Sequence, residues 1–185
     1  VRVGAIVTTL NEEARIDDCL KQLKPDVSHL LVLDDESTDR TVEFARVTAD
    51  KVVVKHIGPV APARNYAMSL MPKWCEWLLI CDADERFDPL WTSVLKKAEA
   101  ELLAVNCFRF PRLNLPKPDL TYPDYQVRFF RNNPDYEWRD EGGFKDILYS
   151  KSANKRADQL EGVTTLDYCP ILHLPRRTDL RRPWW

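Results

Sequence analysis

Glycine is scarce in this chain, with five residues in 185. Neither a GxGxxG turn nor a GxxxxGK[ST] loop occurs, which argues against a dinucleotide-binding Rossmann domain and against a P-loop NTPase. Long apolar runs are also missing. No stretch approaches the roughly 18 residues of a membrane helix, and the N-terminus lacks the charged-then-apolar order of a secretory leader, so no membrane span is expected. Charge of one sign is not in excess: Lys and Arg total 27, Asp and Glu 29, for a net −2. That leaves no general electrostatic footprint for nucleic acid. The cysteines, at 19, 75, 81, 107 and 169, form no CxxC pair. Cys19, Cys81 and Cys107 fall inside apolar periodic segments and read as reduced core thiols, which points to a cytoplasmic location. Internal repeats and low-complexity segments are absent, and the sequence carries no signal of oligomeric state.

What is present is an ordinary globular composition, 44% hydrophobic and 30% charged, at a length that fits one domain over residues 1–185. Strand-like and helix-like patterns alternate through the first hundred residues, as in an α/β layer fold with a mostly parallel sheet. Val3 to Thr8 reads as a strand. Ile16, Cys19, Leu20 and Leu23 recur at helical spacing and stop before Pro25. Leu30 to Leu33 is a buried run ending on Asp34-Asp35, and Ser37-Thr38-Asp39 offers N-cap chemistry to a helix through Val42 and Ala45. Val52 to Val54 is a short strand. Gly58-Pro59 punctuates a loop, and Ala63, Tyr66, Ala67 and Leu70 mark the next helical face. Trp77 to Cys81 is a strand, Trp91, Val94, Leu95, Ala98 and Leu102 a helix, and Val105 to Phe110 another strand. From Pro111 to Pro134 five prolines fall in 24 residues, so long loops around short strands such as Gln126 to Arg131 are expected there.

The apolar run Trp77-Leu78-Leu79-Ile80-Cys81 leads straight into Asp82-Ala83-Asp84-Glu85. A buried strand that ends on carboxylates releases them at a sheet edge, where they can hold a hard divalent ion such as Mg²⁺ or Mn²⁺ while a substrate phosphate supplies further ligands. With 18 Asp in the chain, about two Asp-x-Asp triplets arise by chance, so the spacing gains weight only from its context.

That context is a set of ordered motifs. Thr8-Thr9-Leu10-Asn11-Glu12-Glu13 follows the first strand, and Leu33-Asp34-Asp35-Glu36-Ser37-Thr38-Asp39 follows the second. Ala63-Arg64-Asn65 opens a helix, and Asp82-Ala83-Asp84-Glu85 follows a later strand. Together they resemble the family 2 glycosyltransferases of the GT-A fold, in particular bacterial lipopolysaccharide-type sugar transferases. The likeness covers roughly residues 1–100, and more weakly the chain to about 175. It implies a Rossmann-like, mostly parallel mixed sheet flanked by helices, with residues 1–110 as the nucleotide-sugar half and 111–185 as the acceptor half. It also implies a metal-dependent, inverting, hexosyltransferase-like enzyme using a nucleoside-diphosphate sugar, UDP-linked, with Mn²⁺ or Mg²⁺. By the same resemblance Thr8, Asn11 and Glu12 belong to the nucleotide pocket and Asp34 to the base edge, with Arg64 as a further nucleotide contact. Asp34 or Asp35 serving only as a helix cap stays open beside that role. Asp84 would coordinate the ion, and Asp82 would approach the ribose or share the ion. Glu85 completes the motif or pairs with Arg86 at the surface.

The resemblance further implies a carboxylate base in the second half. Gln126-Val127-Arg128-Phe129-Phe130-Arg131 matches the aromatic and Arg-rich strand of some bacterial relatives, but Lys145-Asp146 stands where they carry His-Glu. Asp146 is the matched base, with Asp140 and Glu141 as rivals. His173 is a candidate further metal ligand. Arg176 and Arg177, in a basic C-terminal stretch, suit the diphosphate by forked hydrogen bonding. The acceptor is expected to be a saccharide, with a nucleobase or a protein as alternatives, and a sugar-nucleotide binder without catalysis is the non-enzyme alternative. A haloacid-type phosphohydrolase would place its Asp-x-Asp at the first strand, a receiver domain would place its acid pair there, and a sugar nucleotidyltransferase needs a Gly-rich N-terminal loop. None of the three fits.

Overall fold

A computed structural model of the chain describes residues 1–100, 104–115, 124–141 and 144–174. The first part alternates β1 (Val3–Thr9), α1 (Ile16–Leu23), β2 (His29–Asp34), α2 (Thr41–Thr48), β3 (Lys51–Val54), α3 (Val60–Ser69) and β4 (Trp77–Asp82). There follow β5 (Glu85–Phe87), α4 (Trp91–Ala100), β6 (Cys107–Asn114), β7 (Asp124–Arg131), β8 (Tyr136–Glu141), β9 (Phe144–Ser150), β10 (Lys155–Arg156), β11 (Val163–Thr165) and β12 (Ile171–His173). The main sheet runs β3-β2-β1-β4-β7-β6-β12-β5, with β11 also on β6, and β10-β9-β8 form a small second sheet. Strands β1 to β4 are mutually parallel, while β7 is antiparallel to both β4 and β6. Because β7 lies between β4 and β6, the two halves of the chain share one sheet.

Alternation along the strands sorts the core into two layers. Val3, Ala5 and Val7 of β1 and Trp77, Leu79 and Cys81 of β4 pack with Ile16, Cys19, Leu20 and Leu23 of α1 and with Trp91 and Val94 of α4. Ile6, Leu78 and Ile80 point the other way, onto Ala61 and Ala67 of α3 and onto Tyr136, Trp138 and Leu148 of the small sheet. Gly4 is required where β1 passes beneath the segment after α3, since a Cβ there would stand 2.9 Å from Cys75 Sγ. Trp77 is fully buried and stacks on Phe129 at 4.9 Å between ring centroids, with Phe108 at 5.7 Å. All five cysteines are free and buried, as the sequence leads one to expect. Among the described residues no helix is long and apolar enough to cross a membrane.

Several local expectations are corrected. Among the described residues after Pro111 strand predominates over loop, because Phe130, Tyr136 and Trp138 of β7 and β8 supply an aromatic surface that packs with α3. Strand β6 continues through Pro111, where the missing N–H does no harm: β11 pairs with Cys107–Arg109 and β12 with Arg112–Asn114, leaving Pro111 between the two ladders. On α3 the buried residues are Ala61, Arg64 and Ala67, and the expected Ala63, Tyr66 and Leu70 are only partly buried. Ahead of α2 the N-cap is Arg40 and none of the three candidates occupies it; Asp39, one residue earlier, accepts the Thr41 N–H at 2.9 Å. Leu102 lies outside the described residues.

The aromatic stack sets a stability test. Trp77→Ala is expected to cost about 3–5 kcal/mol, whereas Val47→Ala, at a side chain that is 78% exposed, should cost less than about 0.5 kcal/mol. Urea denaturation of both variants measures the difference, and equal shifts would contradict the packing described.

Candidate functional site

The carboxyl ends of β1, β2 and β4 open onto one cleft of about 320 Å³. Thr8, Thr9 and Glu12 line it from β1 and the following turn, Asp35 from the end of β2, and Asp82, Ala83 and Asp84 from the end of β4, with Arg112 and His173 across from them. Segments distant in sequence meet here because the parallel strands align their ends. Thr8 stands beside Leu33 in one ladder and beside Asp82 in the other. Ligands of open α/β sheets bind at such carboxyl edges.

Behind the cleft is a buried ionic cluster. Arg64 of α3 and Arg128 of β7 are 0% and 1% exposed, and Glu85 of β5 is 0% exposed. Arg64 Nη2 donates to both oxygens of Asp82, at 2.9 and 3.0 Å, and its Nη1 donates to Asp146 of β9. Arg128 donates to Glu85 at 2.8 Å and to Asp82 at 3.3 Å, and reaches Asp146 at 3.4 Å. Thr8 Oγ1 donates to Asp82 at 3.0 Å, and the Asp82 N–H donates to Glu85 at 3.1 Å. The Arg64 guanidinium also lies 4.8 Å above the Trp138 ring, a stacking contact that a planar cation favours. Burial alone would raise the Asp82 carboxyl, but Arg64, Arg128 and the hydrogen bonds from Arg64 and Thr8 outweigh it and hold the group well below its ordinary value. Burial likewise opposes the charge on Arg128, and Glu85, Asp82 and Asp146 overcome it and keep the guanidinium protonated.

The residues singled out in the sequence that are described take up different places. Thr8, Glu12, Asp82, Asp84 and His173 line the cleft. Asp34 does not: it is fully buried, and its oxygens accept the Ser37 N–H at 2.8 Å and the Ser37 hydroxyl at 2.5 Å in the turn ahead of α2, so it caps no helix either. Its neighbour Asp35 faces the cleft. Above all the Ile57 N–H at 2.7 Å, then the Gly58 N–H and His56, hold the Asp35 carboxyl below its ordinary value. Asn11, with φ of 54°, braces the turn by accepting the Thr38 N–H at 2.8 Å and donating its own N–H to Ser37. Glu85 is buried rather than paired with Arg86 at the surface. The Arg86 guanidinium donates instead to the carbonyls of Ala83, Glu85 and Arg15. Asp146 sits at φ of 62°, which Asp tolerates, beside a register shift in the β8–β9 hairpin. Asp140 accepts the Asp146 N–H at 3.2 Å. The Glu141 side chain, Arg176 and Arg177 lie outside the described residues.

Metal-ligand chemistry is concentrated at one point. His173 Nε2 lies 3.2 Å from Asp84 Oδ2, and His173 Nδ1 lies 2.9 Å from Asn114 Oδ1. Each ring nitrogen thus faces one polar partner, and a second group on Nδ1, here Asn114, is the kind of support that orients a metal-binding histidine. Asp82, by contrast, has both oxygens engaged by arginine. Among the described residues no group of three or more His, Cys, Asp or Glu side chains could hold an ion unaided. An ion here would therefore need substrate or water oxygens, as Mg²⁺ and Mn²⁺ sites commonly do. The donor set fits such an ion. Glu85, Arg128, Arg112 and Asn114 were not anticipated as site residues, although Arg128 and Glu85 stand inside motifs already marked.

A family model described as glycosyl transferase family 2 matches residues 5–182. An uncharacterised glycosyltransferase of Rickettsia typhi is 34% identical over 84 residues, 45% of this chain and 28% of that protein. One from Rickettsia felis is 37% identical over 84 residues, 45% of this chain and 29% of its own length. The matched part is thus less than a third of these curated relatives. Among solved structures, S. aureus TarS residues 1–349 superpose with a TM-score of 0.66 at 16% identity, covering 94% of this chain and 60% of that one. Glucosyl-3-phosphoglycerate synthase from Mycobacterium tuberculosis, in complex with Mn²⁺, UDP and glucosyl-3-phosphoglycerate, gives 0.64 at 14% identity, covering 97% and 74%. At these identities the likeness establishes the fold, which is GT-A.

The ionic cluster predicts a pH dependence. A carboxyl held below its unfolded value binds fewer protons when folded, so it contributes stability above the ordinary value of 3.8 and loses that contribution as pH falls. The stability difference between wild type and Asp82→Asn should therefore be constant above about pH 5 and shrink progressively as pH falls through 3.8 and below. Urea titrations across that range measure it, and a difference independent of pH would contradict the ion-paired state.

Proposed function

The chain belongs to glycosyl transferase family 2, and from that premise we propose that it moves a sugar from a UDP-sugar to an acceptor hydroxyl with inversion at the anomeric carbon. One observation carries the reading: Asp35, Asp84 and His173, from three separate strand ends, converge on a single cleft whose wall also includes Thr8 and Asp82. Asp35, rather than the buried Asp34, accepts the imino hydrogen of uracil, while Thr8 and Glu12 shape the nucleoside pocket. Asp84 and His173 would hold Mn²⁺ or Mg²⁺, which supplies charge neutralisation for the departing diphosphate when bound. Asp82 acts from behind, fixed by Arg64 and Arg128, and presents its edge to the ribose.

The acceptor half is residues 111–185 of one GT-A domain. A second cavity of about 160 Å³, lined by Tyr125, Trp138, Asp146, Arg156 and Asp158 among others, suits a polyhydroxylated acceptor such as a saccharide by its mixture of aromatic and carboxylate groups. Asp146 is the general base in this reading, its place set relative to Asp82 by the shared Arg64. Asp140 steadies it through the Asp146 N–H. The free buried cysteines accord with a cytoplasmic site of action.

A second reading, a sugar-nucleotide binder without transfer, draws on a specific observation: Asp146 is committed to two arginines. Thermal shift with UDP, GDP and TDP, each with and without Mn²⁺, tests the common premise. A ligand at one hundred times its Kd stabilises by about 2.7 kcal/mol. UDP with Mn²⁺ should give the largest shift, and Asp84→Ala and His173→Ala should each abolish the Mn²⁺ increment. Equal shifts for all nucleotides, or an increment that survives Asp84→Ala, would overturn the site. UDP release from a UDP-sugar that falls at least tenfold in Asp146→Asn, with UDP affinity kept, separates the enzyme from the binder.

A further inference from the structure

Arg112 belongs to no motif, yet it lines the cleft at the end where Asp84 meets His173. Its place follows from the β6–β12 ladder, in which Arg112 lies beside Ile171 and Asn114 beside His173. Residues two apart on a strand project to the same side, so Arg112 shares a face with the Asn114 side chain that meets the His173 ring. Charge makes it distinctive. Glu12, Asp35, Asp82 and Asp84 give the cleft wall its carboxylates, and Arg112 is the one Arg or Lys among the described lining residues. An anionic substrate entering such a wall needs that cation.

The guanidinium also keeps donors in reserve. Arg112 Nε is buried, 3.4 Å from Glu85 Oε1 without a hydrogen bond, and Nη1 lies 3.9 Å from Asp124 Oδ2, so a fork to a ligand falls to the two Nη groups. Glu85 is already engaged, taking Arg128 on Oε1 at 2.8 Å and the Asp82 N–H on Oε2 at 3.1 Å. Arg64 and Arg128, in contrast, spend their forks on carboxylates within the fold. Arg112 is thus held in place by charge, with its side chain 24% exposed.

We propose that Arg112 is the anion-binding residue of the cleft, taking two oxygens of a substrate phosphate or carboxylate beside the Asp84–His173 pair. The inference rests on the nucleotide-sugar reading and extends it. The anion has two sources: the diphosphate of the donor or an acidic group on the acceptor. Titration calorimetry on wild type, Arg112→Gln and Arg112→Lys, with Mn²⁺ present, distinguishes them. One arm compares UDP with uridine, and the other adds inorganic phosphate to the UDP-saturated protein. A loss of UDP affinity of tenfold or more in Arg112→Gln, with uridine binding unchanged, assigns Arg112 to the diphosphate. Unchanged UDP binding with phosphate binding lost assigns it to the acceptor anion. Arg112→Lys should recover only part of either loss, since a point charge does not replace the fork. Uridine binding serves as the check that the variant is folded. Wild-type UDP binding with both arms within twofold in Arg112→Gln overturns this assignment alone, whereas no UDP binding to the wild type overturns the donor reading and this assignment with it.

Discussion

Two buried arginines organise the molecule. Arg64 comes from a helix and Arg128 from a strand inserted between the two halves, and together they hold Asp82, Glu85 and Asp146. Removing so many charges from water costs several kcal/mol per ion unless geometry and hydrogen bonding are good. A planar guanidinium meets that requirement by donating to more than one carboxylate at once. The cluster therefore serves position more than stability: it decides which acids are consumed by the fold and which remain for a ligand. Asp82 is fixed by arginine through both oxygens at the cleft wall, and Asp84, two residues on, is turned toward His173.

The same arrangement links the two cavities. Asp82 lines the larger and Asp146 the smaller, and one guanidinium bonds both. In the proposed reading, the groups assigned to donor and acceptor are thereby held by one guanidinium rather than by separate loops. Preorganisation of this kind matters for a transfer reaction, where small misplacements of the reacting atoms are expensive in rate. Outside the cluster the cleft needs little further apparatus. The parallel strands bring their ends to one edge, and the turns after them are tied by Asn11, Ser37 and Asp39.

The first half of the chain was legible because its signals are local. Apolar runs of strand length and the α1 pattern of Ile16, Cys19, Leu20 and Leu23 report directly on burial, and the motifs at the strand ends have ordered spacing. The second half was less so: Gln126 to Arg131 was read as a strand, but β8 and β9, whose pairing with each other carries no local periodic signal, were read as loop. Asp34 and Asp35 show another limit: two adjacent acids at a strand end cannot be told apart until the turn decides which one Ser37 engages. Arg64 was singled out by motif, but its partners Asp82 and Asp146 lie 18 and 82 residues away, and no periodicity reports such a triad. Arg112 escaped because a strand was expected to stop at Phe110: the apolar alternation breaks at Pro111, and only pairing with β7 and β12 carries the strand on through Asn114.

The account's central claim is that the arginine cluster retains Asp82 and leaves Asp84 with His173 for a metal-bound nucleotide. Anomalous diffraction from crystals grown with UDP and Mn²⁺ tests it most directly. The account predicts a manganese peak coordinated by Asp84 and His173, a uracil ring against Asp35, and Asp82 still paired with Arg64 and Arg128. A peak coordinated by Asp82 with those pairs broken, or UDP bound outside the cleft, would contradict it.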